Sequence, residues 1–180
     1  RVFPAKYWIT SNDKIAIAIE NIRTELQQQA IKLKKEGKAE EASRLKGKTE
    51  FDLEMLKQTG YCYGIENYSR HLDHRFPGEP PYTLVNFFKT KRDFLTIIDE
   101  SHITVPQLNG MHAGDHSRKA TLVKHGFRLP SALDNRPLKF KEFEKLINQI
   151  IYVSATPGKF ELKRSTKLGA TEQLIRPTGM

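Results

Sequence analysis

Two adjacent carboxylates, Asp99 and Glu100, are the residues of this chain best suited to catalysis. They directly follow residues 94–98, a β-branched apolar run without polar alternation, which is typical of a parallel strand covered on both faces. Open α/β sheets bind ligands at the carboxyl ends of such strands, so the acids are expected at a ligand-binding edge. There Asp99 can hold Mg²⁺, directly or through water, while Glu100 orients and deprotonates an attacking water, as in a nucleotide hydrolase. The same pattern also occurs at ordinary strand ends, where both acids are merely solvated.

A second pair of candidates follows another apolar run, residues 150–153, which predicts a second buried strand. Ser154 and Thr156 come at its carboxyl end, just before Pro157 and Gly158. Two small hydroxyl residues in this place can relay hydrogen bonds between a nucleotide site and a neighbouring domain. Ser and Thr before Pro-Gly are equally common in turns. The pattern therefore leaves both interpretations, coupling and an ordinary turn, open.

The front of the chain predicts an antiparallel helical hairpin. A first helix is expected to begin near Ser11, and its apolar residues recur at helical spacing on one face. These residues are Ile15, Ile19, Ile22, Leu26 and Leu33. A second helix is predicted over residues 39–59, ended by Gly60, with four apolar residues inward: Ala42, Leu45, Leu53 and Leu56. The basic tip at residues 34–38 is either a solvated turn or an arm that contacts nucleic acid or a partner protein.

Two further segments mix aromatic and basic residues, a combination that can stack bases and contact phosphates. The first, residues 61–71, contains Tyr61 and Arg70; its tyrosines can equally belong to the core or rim of a helical subdomain. The second is a Pro-containing loop, residues 126–137, with Phe127, Arg128 and Arg136. Alternatively, Phe127 points into the core and the two arginines face solvent, without contacting nucleic acid. Both segments are candidates for nucleic-acid contact.

The remaining elements are predicted from turn residues and periodicity. A Pro- and Gly-rich loop at residues 75–82 separates the helical front from the α/β remainder. A short helix after residues 105–110 is expected to be capped by Asp115 and ended by Gly126. An amphipathic helix is predicted at residues 139–148, and a last short strand at residues 172–175 leads into a linker.

Composition narrows the class of protein. Thirty Lys and Arg against 21 Asp and Glu give a net charge of +9, which favours polyanionic partners, with nucleic acid ahead of an anionic membrane surface. No apolar stretch reaches the roughly 20 residues that cross a bilayer, so we expect no membrane-spanning segment. A membrane is not among the expected partners. The single cysteine excludes a disulfide framework and suits a cytoplasmic protein. The His spacings at 71/74 and 112/116 lack a completing thiolate, which argues against zinc. The first and last residues read as mid-protein sequence, so we expect a fragment.

The ordered strings of this sequence resemble a known family. Asp99-Glu100-Ser101-His102 and, some fifty residues later, Ser154-Ala155-Thr156-Pro157 resemble the second and third motifs of superfamily 2 helicases. More specifically, the chain resembles the UvrB family, the helicase-like damage-verification subunits of the bacterial UvrABC excinuclease. The resemblance covers essentially all 180 residues. The strings that carry it are GIENYSRHL (64–72), PGEPPYTL (77–84), GFRLPSALDNRP (126–137), IYVSATPG (151–158) and IRPTG (175–179).

The resemblance implies an α/β fold, a partial RecA-like motor domain with an inserted, mainly α-helical subdomain. Residues 1–92 are then the inserted subdomain, continued by about 105–140. Residues 93–104 and 141–176 are motor-domain segments, and residues 177–180 begin an interdomain linker. In this family a DNA strand is clamped between the inserted subdomain and a β-hairpin while damage is checked in nucleotide excision repair. Glu66 matches a position that faces that hairpin, and Phe127 one near the DNA path.

The resemblance also implies cofactors and partners. The parent protein uses ATP and Mg²⁺, with Asp99 and Glu100 catalytic and His102, Ser154 and Thr156 coupling ATP to domain movement. Its partners are damaged DNA, UvrA and UvrC. The phosphate-binding loop, the β-hairpin, the main UvrA-binding domain and the second motor domain are expected outside these residues, so the chain alone is expected neither to bind ATP tightly nor to hydrolyse it. Alternatives are a non-catalytic DNA- or protein-binding helical module, or a piece of another superfamily 2 nucleic-acid motor.

Overall fold

The computed structural model describes residues 11–88, 93–165 and 169–172. These residues form seven α-helices, two strands and two short 3₁₀ helices. Their bounds are α1 Asn12–Lys35, α2 Ala39–Thr59, 3₁₀ helix Ile65–Tyr68, α3 Ser69–Leu72, α4 Leu84–Phe88, β1 Leu95–Ile98, α5 Ser101–Lys124, 3₁₀ helix Pro130–Asp134, α6 Phe140–Leu146, β2 Gln149–Tyr152 and α7 Lys159–Ser165. Of the strand predicted at residues 172–175 only Glu172 is described, without strand structure, and the predicted linker lies outside the described residues.

The described residues divide into two compact units. Of the described residues, the helical unit contains 11–82 and 111–138, and the sheet unit contains 83–88, 93–110, 139–165 and 169–172. The long helix α5 contributes its first part to the sheet unit and its second part to the helical unit. Among the described residues, none of the helices combines the length and the apolar character that a bilayer-spanning segment requires.

The helical hairpin predicted from periodicity is confirmed. Helices α1 and α2 pack against each other through the expected apolar residues, and Ile15 lies at the edge of this core. Gly47 does not interrupt α2, which runs unbroken to Gly60. Gly60 ends that helix in the left-handed conformation, with φ 72°, and its N–H donates to the Leu56 carbonyl at 2.9 Å. The core of the unit is formed by Ala18, Ile19, Ile22, Leu26, Leu33, Ala42, Leu45, Leu53, Leu56, Cys62, Ile65, Tyr68, Leu72 and Leu129.

The helix predicted around Asp115 is longer than expected, and the capping role of Asp115 is wrong. Helix α5 starts at Ser101 and contains Pro106. Its first turn forms before the proline, because the amides of Ile103 and Thr104 both donate to the Glu100 carbonyl, at 2.9 and 3.0 Å. Asp115 therefore lies in the middle of the helix, where it pairs with Lys119 at 2.8 Å.

Both predicted strands are present, and they pair with each other in parallel. The register runs from Leu95 opposite Gln149 to Ile98 opposite Tyr152. The prediction that both faces are covered is wrong for the described residues, since Ile97 is 61% exposed while Ile98 is buried. One face is covered by the rings of Phe140, Tyr152 and Phe160, where α6 and α7 pack edge to face. The other face keeps three apolar residues half exposed: Leu95, Ile97 and Ile151.

The carboxylate of Glu25, on α1, links the hairpin to later segments of the chain through hydrogen bonds and an ion pair. One oxygen of Glu25 lies 2.7 Å from His71 Nε2, and the other accepts the Ser131 amide at 2.7 Å. Arg70 lies 3.4 Å from Glu25 and 2.8 Å from Asp134. Burial raises the pKa of the Glu25 carboxyl, but the hydrogen bonds of His71 and Ser131 and the charge of Arg70 outweigh burial and leave that pKa below its ordinary 4.5.

We expect Glu25→Gln to lower the free energy of unfolding by ~1–3 kcal/mol at pH 7, because it removes a partly buried charge from its partners. A depressed carboxyl pKa stabilises the fold above the unfolded-state pKa, and this contribution is lost as pH falls through the folded-state value. The difference between wild type and variant should therefore be full at pH 7 and shrink below about pH 4.5. Urea unfolding at several pH values measures it.

Glu20→Gln is the matched control, since Glu20 is on the same helix and pairs with Arg23 at 3.0 Å but is 69% exposed. Its effect should stay below ~0.5 kcal/mol. A Glu25→Gln loss no larger than that of Glu20→Gln, or one equal at pH 7 and pH 3, would contradict the role given to Glu25.

Candidate functional site

The acids predicted to be catalytic lie where β1 ends. Asp99 and Glu100 form the turn between Ile98 and Ser101, and both are exposed. Glu100 has φ 45°, a left-handed conformation that costs a non-glycine residue roughly 1 kcal/mol. Asp99 Oδ1 accepts the Glu100 amide at 2.9 Å and holds this turn. The strained turn presents both carboxylates at the carboxyl edge of the sheet, as the sequence predicts.

The second motif meets the first at this edge. His102 Nδ1 lies 2.7 Å from Ser154 Oγ, although the two residues are 52 positions apart, and 3.4 Å from Glu100 Oε2. Ser154 Oγ also accepts the backbone amide of Thr156 at 3.1 Å. Thr156 thus contacts Ser154 through its backbone amide. The sequence instead predicts that the side-chain hydroxyl of Thr156 relays hydrogen bonds. A continuous set of polar contacts runs from Glu100 through His102 and Ser154 to Thr156.

The backbone explains why the two motifs meet. The parallel ladder continues past both strands, because Val153 N–H donates to the Ile98 carbonyl at 2.9 Å and Ser101 N–H donates to the Val153 carbonyl at 3.0 Å. Ser101 is fully buried where α5 begins, which fixes the start of that helix against β2. His102, the next residue, is thereby directed at Ser154.

The carboxylates at this edge are suitable ligands for Mg²⁺. Hard oxygen donors suit this ion, which keeps several waters and takes only one or two protein carboxylates when phosphate oxygens complete its shell. Among the described residues no group of three or more His, Cys, Asp or Glu is arranged to hold a metal ion. The two carboxylates of Asp99 and Glu100 would suit an Mg²⁺ ion whose remaining ligands are waters and phosphate oxygens. Ligation by Asp99 stays a prediction.

The predicted nucleic-acid loop begins just after α5, where residues 125–127 meet α2. Gly126 follows the helix with φ 70°, and Phe127 N–H donates to the Leu122 carbonyl at 2.8 Å. A Cβ atom on Gly126 would lie 2.3 Å from the backbone oxygen of Glu41. Only glycine permits this approach, so the backbone of α2 fixes the position from which Phe127 projects.

Phe127 is not inward: 44% of its surface is exposed. The guanidinium carbon of Arg44, on α2, lies 4.5 Å above the centroid of its ring. Arg44 Nη1 also donates to the His125 carbonyl at 2.7 Å. Arg128, next to Phe127, is half-buried and donates to the Phe127 carbonyl at 3.1 Å. Arg44 was missed by the sequence reasoning, because nothing in its local pattern connects it with a loop 81 positions away.

Two predicted DNA-contacting arginines have partners within the protein. Arg136 is 9% exposed, and its Nη2 donates to the Gly78 carbonyl at 3.1 Å. Arg70 forms ion pairs with Glu25 and Asp134. These contacts assign both side chains to the junction between the hairpin and the following loops. Their DNA contacts stay predictions, and the exposed aromatic Phe127 is the stronger candidate.

Tyr61 lies just after α2, and Glu66 lies in the 3₁₀ helix Ile65–Tyr68. Tyr61 is 37% exposed and packs edge-on against Tyr63, with ring centroids 6.2 Å apart. Glu66 is exposed, with its Oε1 atom 3.4 Å from the Asn67 side-chain amide. Both can reach a partner from this position, while the contacts themselves stay predictions.

Comparison with known proteins agrees with the sequence resemblance. A family model described as UvrB third helical domain matches residues 13–74. Over 99% of its length the chain is 58% identical to UvrABC system protein B of Bacillus caldotenax and of Carboxydothermus hydrogenoformans, and 56% identical to that of Tropheryma whipplei. It covers 27%, 26% and 26% of these relatives, respectively, about a quarter of their length.

Proposed function

Because this chain belongs to the UvrB family, we propose that it is the part of a DNA-repair protein that contacts a single DNA strand with its helical unit. The observation that carries the proposal is the exposed ring of Phe127, held over α2 by the close approach of Gly126 and Glu41. Aromatic rings in basic surroundings stack bases without sequence preference. The net charge of +9 supports attraction of the phosphate backbone.

The sheet unit is proposed to be a segment of a RecA-like motor domain. The parallel pair β1 and β2 with acids at its carboxyl edge supports this assignment. In the whole protein Asp99 would hold Mg²⁺ of an ATP complex, whose charge stabilises the transferred phosphoryl group. Glu100 would accept a proton from the attacking water. The contact between His102 and Ser154 would link the state of Glu100 to β2 and to the loop beyond it.

The remaining parts of the proposal concern the whole protein. UvrA and UvrC are the proposed protein partners, damaged DNA the proposed substrate, and the cytoplasm the proposed compartment. The 180-residue chain alone is proposed to lack ATPase activity, because its sequence contains no Gly-x₄-Gly-Lys-Ser/Thr phosphate loop. Phosphate release from ATP by the pure chain would refute this statement.

The DNA contact is tested with a fluorescein-labelled deoxythymidine oligomer and the 180-residue chain. We expect binding whose log affinity falls linearly with log salt, with a slope of about −0.7 per phosphate contacted. Phe127→Ala should weaken binding by about fivefold or more, the loss of one stacked base. Phe76→Ala removes another ring of the same unit, 74% exposed, and should leave the affinity unchanged. No binding at low salt, or equal losses for both variants, would refute the proposal.

A further inference from the structure

The guanidinium of Arg44 does more than pack against a neighbouring ring. It lies 4.5 Å above the centroid of Phe127, and the same group is tied to the His125 carbonyl at 2.7 Å. Two fixed points, one on each side of Gly126, therefore hold it in place. We infer that Arg44 is a positioning residue for DNA binding: it backs one face of Phe127 so that the exposed part of the ring is preset to receive a base. This inference rests on the proposed function of Phe127.

The chemistry of arginine suits this task. A planar guanidinium stacks on an aromatic face, while its separate N–H groups stay available for hydrogen bonds in the plane. Arg44 makes both kinds of contact at once, since its guanidinium carbon lies over the ring of Phe127 and its Nη1 donates to the His125 carbonyl. A lysine keeps the charge but cannot provide a flat surface and a forked donor together. The arrangement is thus specific to arginine.

Preordering the ring should increase affinity. A free side chain loses rotamer freedom when a base stacks on it, and this cost is removed if the ring is already held. Phe127 retains 44% exposure in spite of the Arg44 contact, so much of its surface is open for stacking. The backbone is preset as well, because Gly126 approaches Glu41 too closely for any side chain at position 126. Side chain and backbone are therefore held by the same helix, α2.

A double-mutant cycle tests the inference. Wild type, Arg44→Ala, Phe127→Ala and the double variant of the 180-residue chain are titrated into a fluorescein-labelled deoxythymidine oligomer. Arg44→Ala should weaken binding by about two- to fivefold, the range expected for an exposed cation–π contact. In the Phe127→Ala background the same change should have no effect, because Arg44 acts through the ring. Arg23→Ala removes an exposed arginine that pairs with Glu20 and is the charge-matched control.

A phosphate contact by Arg44 would give different results. Removing such a contact lowers the salt slope by about 0.7, whereas removing a positioning residue leaves the slope unchanged. A lower slope, equal losses in both backgrounds, or no loss for Arg44→Ala would overturn the inference while leaving the DNA contact of Phe127 standing. Wild-type affinity in Phe127→Ala would overturn the proposed DNA contact itself.

A second variant covers the case in which Arg44→Ala does not fold, which circular dichroism would reveal. Arg44→Lys keeps the charge and most of the volume. It should still bind more weakly than wild type at every salt concentration, with an unchanged slope. Wild-type affinity in Arg44→Lys would overturn the positioning role, since charge alone would then be sufficient.

Discussion

Replacing Glu100 by glutamine in a full-length protein that carries these residues is expected to lower the rate of ATP hydrolysis at least about 100-fold, the usual contribution of a general base. Glutamine keeps the size of the side chain and one acceptor oxygen but cannot take a proton from water. Glu100 is exposed and lies in a turn, so the fold should persist. Asp99→Ala should abolish hydrolysis as well, through loss of the metal ligand. Steady-state phosphate release measures both rates.

The control for this experiment lies at the other end of the same strand. Asp93 is an exposed acid just before β1, remote along the strand from the carboxyl edge. Asp93→Asn should therefore hydrolyse ATP at the wild-type rate. Full activity in Asp99→Ala or Glu100→Gln would contradict the catalytic assignment, and so would an equal loss in Asp93→Asn.

Gly126→Ala is expected to cause the largest loss of stability of any single methyl addition at the described glycines. The new Cβ would meet the Glu41 backbone oxygen at 2.3 Å, and the φ of 70° is unfavourable for alanine. Backbone must move, since no flexible side chain can give way. We expect the free energy of unfolding to fall by ~2–4 kcal/mol, as for other incompatible backbone changes. Urea unfolding followed by circular dichroism measures the loss.

Gly47→Ala provides the opposite expectation with the same chemical change. Gly47 lies within α2, and a Cβ there would meet nothing within 4 Å. Alanine should stabilise this helix by up to ~1 kcal/mol, because it loses less backbone freedom than glycine on folding. A Gly126→Ala variant as stable as wild type would show that α2 and the loop are not packed as described.

Local pattern was sufficient for the helical hairpin and for the presence of both strands. Ile19, Ile22 and Leu26 follow the helical period, and their burial needs no information from distant residues. The prediction that both faces of the sheet are covered was wrong, since Ile97 is 61% exposed. An apolar run in the sequence does not reveal how many faces of its strand are packed. Helix α5 was mispredicted because its first turn closes ahead of Pro106.

The residues that sequence reasoning missed act over long separations. Glu25 accepts the amide of Ser131, 106 positions away, and Arg44 bonds the carbonyl of His125, 81 positions away. Neither residue differs in its local pattern from an ordinary surface charge on an amphipathic helix. In contrast, the meeting of His102 with Ser154 follows from parallel register once both strand ends are known.

The most direct test of the DNA-binding role is photocrosslinking of a single strand that contains 5-iodouracil to the 180-residue chain, followed by mass spectrometry of the crosslinked peptide. A base stacked on an aromatic ring couples efficiently to that ring, so we expect a principal crosslink at Phe127 that disappears in Phe127→Leu. A principal crosslink to residues of the sheet unit, with none in the loop that carries Phe127, would contradict it.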